Sequence, residues 1–221
     1  MVLTLLSFFL QINTVTVPVN WLTPYEKSTG NKTATYQECI AYYQKLDKAY
    51  EALKLVEYGS TDVGKPLHVA VLSSDKDFNP VSLRKKNKRI LLIQNGIHPG
   101  EPEGIDASMM LARDYLQKKE WQAYLKDVVV LFIPIYNVDG SLNRNSYSRA
   151  NQEGPESYGF RGNARNLDLN RDYIKNDSRN AQTFTKIFQE WQPDVFVDTH
   201  TSNGADYQHT MTLIATQKDK L

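Results

Sequence analysis

Residues 89–95 read RILLIQN and run directly into Gly96-Ile97-His98-Pro99-Gly100-Glu101-Pro102-Glu103-Gly104. A continuous apolar run of strand length, closed by glycine, predicts a strand buried on both faces. Residues 128–135 (VVVLFIPI) and 195–199 (VFVDT) have the same form, and residues 211–215 offer a fourth candidate. Helical periodicities lie between these runs. Ile105, Met109, Ala112 and Leu116 mark one; Ala181, Phe184, Phe188 and Trp191 mark another, capped by Asp177 or Ser178. Buried strands separated by helices predict an α/β domain with a mixed, largely parallel sheet flanked by helices.

Upstream, Thr35 reads as the N-cap of an amphipathic helix. Its apolar face is Tyr36, Ile40, Tyr43, Leu46, Tyr50 and Leu53, ending near Leu55. Residues 55–59 and 66–72 read as two strands around a turn at 62–65, and residues 82–89 as a basic, solvated loop. Twenty-six Lys and Arg against 25 Asp and Glu leave a net charge of +1. That balance gives no bulk support for a nucleic-acid partner, so a charged ligand must be read by a local site. One cysteine, Cys39, excludes an intrachain disulfide framework and any Cys-based metal motif.

In open α/β sheets ligands bind beyond the carboxyl ends of the strands. Here those ends carry His98 and Glu101, then Asn137-Val138-Asp139-Gly140, then His200. His98 and Glu101 stand at i and i+3, so a tight turn lets both reach one cation. His and carboxylate donors suit zinc, and a catalytic zinc needs three protein ligands, for which His200 is the natural third. The competing reading has each histidine satisfied locally, as expected for His68 within a strand and His209 in a polar stretch. Glu103, five residues from His98, is read as a favourable charge near a helix start. Five arginines, at 144, 149, 161, 165 and 171, share a short stretch with Asn151, Asn166 and Asn170. Such a set suits a planar carboxylate. The alternative is a solvated loop paired with Asp168, Asp172 and Glu156.

In this order, Gly96-Ile97-His98-Pro99-Gly100-Glu101, Asn137-Val138-Asp139-Gly140, Asp168-Leu169-Asn170-Arg171 and Asp198-Thr199-His200 resemble the zinc carboxypeptidase family, over roughly residues 35–214. Residues 21–28, 149–160 and 166–173 are similar to a bacterial branch of that family. The resemblance implies one zinc on His98, Glu101 and His200. It implies that Arg149 polarises the scissile carbonyl, with Arg144 competing for that role, and that Asn170 and Arg171 grip a terminal carboxylate. Asp172 stands where digestive members carry Asn, so their substrate preference does not transfer. The implied activity is removal of C-terminal residues from peptides. An alternative is deacylation of N-acylated amino acids, and another is a non-catalytic zinc-binding fragment.

The family's general-base glutamate lies well downstream of the last zinc ligand. Here 21 residues follow His200, and none is Glu. The expectation is an incomplete catalytic domain over 21–221 with little activity by itself. Residues 1–20 form a separate N-terminal segment. Within it, residues 2–10 have the length of a signal-peptide core but are too short for a membrane span. This leans toward a secreted or periplasmic location, although no Lys or Arg precedes the run; an ordinary strand or a mis-assigned start are the alternatives. Nothing in the sequence sets the oligomeric state.

Overall fold

The computed structural model describes residues 17–202. In chain order the helices are α1 (Pro24–Lys27), α2 (Tyr36–Ala49), α3 (Pro80–Lys85), α4 (Glu103–Gln117), α5 (Lys119–Gln122), α6 (Val138–Leu142) and α7 (Arg179–Trp191). The strands are β1 (Leu53–Ser60), β2 (Pro66–Leu72), β3 (Arg89–Gln94), β4 (Val128–Ile133) and β5 (Val195–Asp198). They form one mixed sheet in the order β1-β2-β4-β3-β5. The β1–β2 and β2–β4 pairs are antiparallel, and β3 is parallel to both β4 and β5. The carboxyl ends of those three parallel strands therefore share one edge of the sheet. The candidate strand at 211–215, His209 and the apolar run at 2–10 lie outside the described residues. Among the described residues no helix is long and apolar enough to cross a membrane.

Local signals account for most helix starts. Thr35 and Glu38 close a capping box at α2, and Ser178 Oγ accepts from Ala181 N to cap α7. Helix α2 stops at Ala49, short of the expected end near Leu55. Tyr50 is extended, and Leu53 through Val56 pair with Val69 through Leu72, so the sheet claims residues that fit the helical period. The expected loop at 82–89 begins instead inside α3, which Asn79 caps ahead of Pro80 at the first helical position. Two of its lysines are engaged. Lys86 Nζ lies 2.7 Å from Asp77 and Lys88 Nζ 2.8 Å from Asp75.

Ile105, Met109, Ala112 and Leu116 of α4 are all buried, as their spacing implies. Burial on both faces holds for β2 and nearly so for β4, while β3 alternates. It fails for β5, where Val195, Phe196 and Val197 are 54%, 38% and 41% exposed. That strand pairs with β3 on one side only and forms the sheet edge among the described residues.

Glycine 104 shows how closely α4 meets the end of β5. A Cβ built there lies 2.1 Å from Thr199 Oγ1 and 2.9 Å from Asn95 Oδ1. Thr199 is β-branched and stiff, so it yields little. Gly104→Ala is expected to destabilise the fold by about 1–3 kcal/mol, read as a lower urea midpoint. An unchanged midpoint would mean that Thr199 swings aside freely.

Candidate metal centre

The turn after β3 is built by Gly96, at φ +64°, followed by a Glu101 N to His98 O hydrogen bond of 2.9 Å. Both side chains point inward and are nearly buried, at 3% and 4% exposure. His200 arrives from the end of β5. One nitrogen from each histidine and a Glu101 oxygen lie within 4.8 Å of one another.

Each imidazole lies between two carboxylates. His98 Nε2 is 3.0 Å from Asp168 Oδ1, and His200 Nε2 is 3.0 Å from Asp198 Oδ2. An ionised carboxylate only accepts, so in the tautomer that leaves Nδ1 open to a cation each Nε2 carries the proton and donates it to its outer carboxylate. Each Nδ1 then presents a lone pair toward Glu101, at 3.2 Å for His98 and 3.1 Å for His200. Three electron-pair donors thus face one another, an arrangement that calls for a cation or extra protons between them. Without a cation the protons stay. Hydrogen bonds to Asp198 and Glu101 push His200 up to about 9. Burial opposes ionisation of Glu101. Bonds from His200, His98 and the Thr201 N–H outweigh it and hold the carboxyl well below the usual carboxylate range. Two imidazoles and a carboxylate, each histidine backed by an outer carboxylate, are donor types that zinc takes.

The arginine-rich stretch is divided by the fold. Arg149 Nη1 donates to Glu101 Oε1 at 3.0 Å and its Nη2 to the Ser202 carbonyl at 3.2 Å. Gly100 makes room for this side chain, since a Cβ there lies 2.6 Å from Arg149 Cδ. Arg161 also reaches the cluster. Its Nη1 is 3.3 Å from His98 Nδ1, while Nε and Nη2 grip Asp168 Oδ2 at 3.1 and 2.8 Å. The two guanidinium groups and Gly100 line an open cavity of about 460 Å³. Arg144 lies elsewhere. It donates to the carbonyls of Thr33, Ala34 and Ser157 and ties the loop to the chain ahead of α2. Arg165 donates to the Asp177 carbonyl, and Arg171 is exposed, bonded only to the neighbouring Asn170 carbonyl among the described contacts. Asn170 is half-buried beside it on the short turn Leu169–Arg171.

Other motif residues are scaffold. Asn137 Nδ2 donates to the carbonyls of Ile97 and Arg161, which joins the His98 turn to the Arg161 loop. Gly140 permits that approach, as a Cβ would meet the Phe160 carbonyl at 2.3 Å. Asp172 is buried and accepts from Asp177 N, Ser178 N and Ser178 Oγ, so it shapes the start of α7. Glu103 is the first residue of α4 and His68 is buried on β2, 3.4 Å from Glu57.

Asp198, Arg161 and the outer role of Asp168 were not singled out by spacing. Asp198 had a local signal, because residues two apart on a strand face the same side. Arg161 stood out only as one of five arginines and Asp168 only as a partner for them, and nothing in the spacing tied either to His98, 63 and 70 residues away along the chain.

The family model for zinc carboxypeptidase matches residues 39–215. Carboxypeptidase 2 of Trichophyton tonsurans is 26% identical over 141 residues, which is 63% of this chain and 23% of that protein. A metallo-carboxypeptidase structure from Burkholderia cenocepacia superposes with a TM-score of 0.61 at 19% identity, covering 79% of this chain and 43% of that one. A metallo-carboxypeptidase from Pseudomonas aeruginosa gives 0.60 at 17% identity, with 78% and 41% covered. The chain thus spans about a quarter of its curated relative and less than half of each structural neighbour.

Proposed function

The chain belongs to the zinc carboxypeptidase family, and from that membership we propose that it holds one zinc on His98, Glu101 and His200 and serves the removal of C-terminal residues from peptides. The observation that carries this is the convergence of the two Nδ1 atoms on the Glu101 carboxylate, flanked by two guanidinium groups. When bound, zinc supplies Lewis acidity and a nucleophile at neutral pH.

The chain's own residues do the rest. Arg149 polarises the scissile carbonyl and stabilises the charge that develops on its oxygen, and Arg161 adds a second donor across the same cavity. Arg144, with its donors on backbone carbonyls, is left to structure. Asn170 and Arg171 hold the terminal carboxylate of the substrate, the exposed guanidinium supplying a charge-assisted contact. Around the cluster, Glu101, Asp168 and Asp198 are each engaged by histidine, so none of the three is placed to act as general base.

The test uses binding, which needs no base. The zinc-loaded chain is expected to bind an N-blocked dipeptide with a free C-terminus more tightly than its C-terminal amide. Arg171→Ala is expected to erase that preference, a change of about tenfold. Calorimetric titration of both peptides reads it directly. Equal affinities for acid and amide in the wild type would remove the carboxypeptidase reading.

A further inference from the structure

We propose that Tyr173 and Gln94 are positioning residues for this metal centre, acting through Asp198 to fix the His200 imidazole. The inference rests on reading His98, Glu101 and His200 as zinc ligands. Neither Tyr173 nor Gln94 reaches a ligand directly in the bonds described here. Both reach Asp198, and Asp198 reaches His200.

The β3–β5 register sets Gln94 opposite Asp198. Gln94 is fully buried at the end of β3, where residues 90–93 are all apolar. Its Nε2 donates to the Tyr173 hydroxyl oxygen at 2.5 Å and to Asp198 Oδ1 at 3.0 Å. The Tyr173 hydroxyl donates to Asp198 Oδ2 at 3.2 Å, and that same oxygen accepts from His200 Nε2. Both carboxylate oxygens are therefore pinned, and the carboxylate cannot rotate without breaking a bond. The Tyr173 ring is itself held. Tyr136 stacks on it at 6.3 Å and 5°, and Phe184 meets it edge-on at 5.5 Å. Burial and the Asp198 charge keep the phenol protonated, so it remains a donor.

Two features set this apart from ordinary packing. Among the described residues the Gln94 Oε1 has no hydrogen-bond partner. A buried, half-satisfied amide costs the fold more than an aliphatic side chain would, so the donor it sends to Asp198 is what the position supplies. The Tyr136 hydroxyl is likewise without a partner among the described residues, although its ring stacks on Tyr173. The two tyrosines thus share one aromatic cluster, and only one hydroxyl feeds the metal side. Outer partners of ligating histidines fix ring orientation and raise basicity, and their loss commonly weakens metal binding by about 10–100-fold.

The experiment compares zinc dissociation constants of the full chain by competition with a chromophoric chelator, together with the visible spectrum of the cobalt-loaded protein. Tyr173→Phe is expected to weaken zinc about tenfold and to shift the cobalt bands. Tyr136→Phe, which removes a hydroxyl from the same cluster, is expected to change neither. Tyr173→Phe added to Asp198→Asn is expected to cost nothing further, because both act on one path. Should Tyr173→Phe fail to fold, Gln94→Leu carries the same comparison. Equal affinities in wild type and Tyr173→Phe, equal losses in both tyrosine variants, or additive losses with Asp198→Asn would overturn the inference. A wild type that binds no zinc would overturn the ligand assignment as well.

Discussion

His200→Ala is expected to strip the protein of zinc. Wild type should retain about one zinc per chain after dialysis, and the variant close to none, measured by elemental analysis. The three donors converge within 4.8 Å, and a catalytic site draws on three protein ligands, so none is spare. The loss should exceed the roughly 10–100-fold that removal of an outer partner costs. His68→Ala serves as the control. His68 is buried on β2 beside Glu57 and is not one of the three converging donors, so its loss should leave the zinc in place. Equal zinc in wild type and His200→Ala would sink the assignment.

The second large effect concerns stability and pH. Asp106, on the first turn of α4, is 4% exposed, and its Oδ1 accepts from Ala34 N at 3.2 Å. Burial pushes its carboxyl up to about 6, against the lowering influence of that bond and of nearby Arg144. A carboxyl raised in the folded state binds its proton more tightly there than in the unfolded chain. Its contribution to stability is complete below the ordinary value near 4 and is lost as pH rises through about 6. At neutral pH the folded chain therefore carries a buried charge at a cost of about 3 kcal/mol at most. Asn keeps an oxygen for Ala34 and removes the charge. Asp106→Asn is expected to stabilise by about 1–3 kcal/mol at pH 7.5 and to match wild type near pH 4. Urea unfolding at pH 4, 6 and 7.5 gives the comparison. A gain of equal size at all three values would show that the effect is not the ionisation of Asp106.

Much of the scaffold was legible because its causes are local. The Thr35–Glu38 capping box, the Ser178 cap and the period of Ile105, Met109, Ala112 and Leu116 are all written within a few residues of each other. Errors fell where tertiary pairing overrode a local pattern. Leu53 continues the helical spacing of α2, yet pairing with Leu72 draws it into β1. The apolar run at 195–197 predicts double burial, yet it lies at the sheet edge among the described residues.

For the site, the sequence by itself determined the His98–Glu101 turn and the placement of His200 at the end of a strand. A three-residue interval and a strand terminus are sufficient for both. Only the tertiary structure decided which arginines serve that cluster. Arg149 and Arg161 reach it, while Arg144 closes on the carbonyls of Thr33 and Ala34. Only the tertiary structure set Asp168 behind His98, and Gln94 with Tyr173 behind Asp198. These contacts join residues 25–104 positions apart, where strand register and loop path decide who meets whom. Composition and spacing carry no record of register at that range, because each such contact depends on every pairing that brings the two segments together.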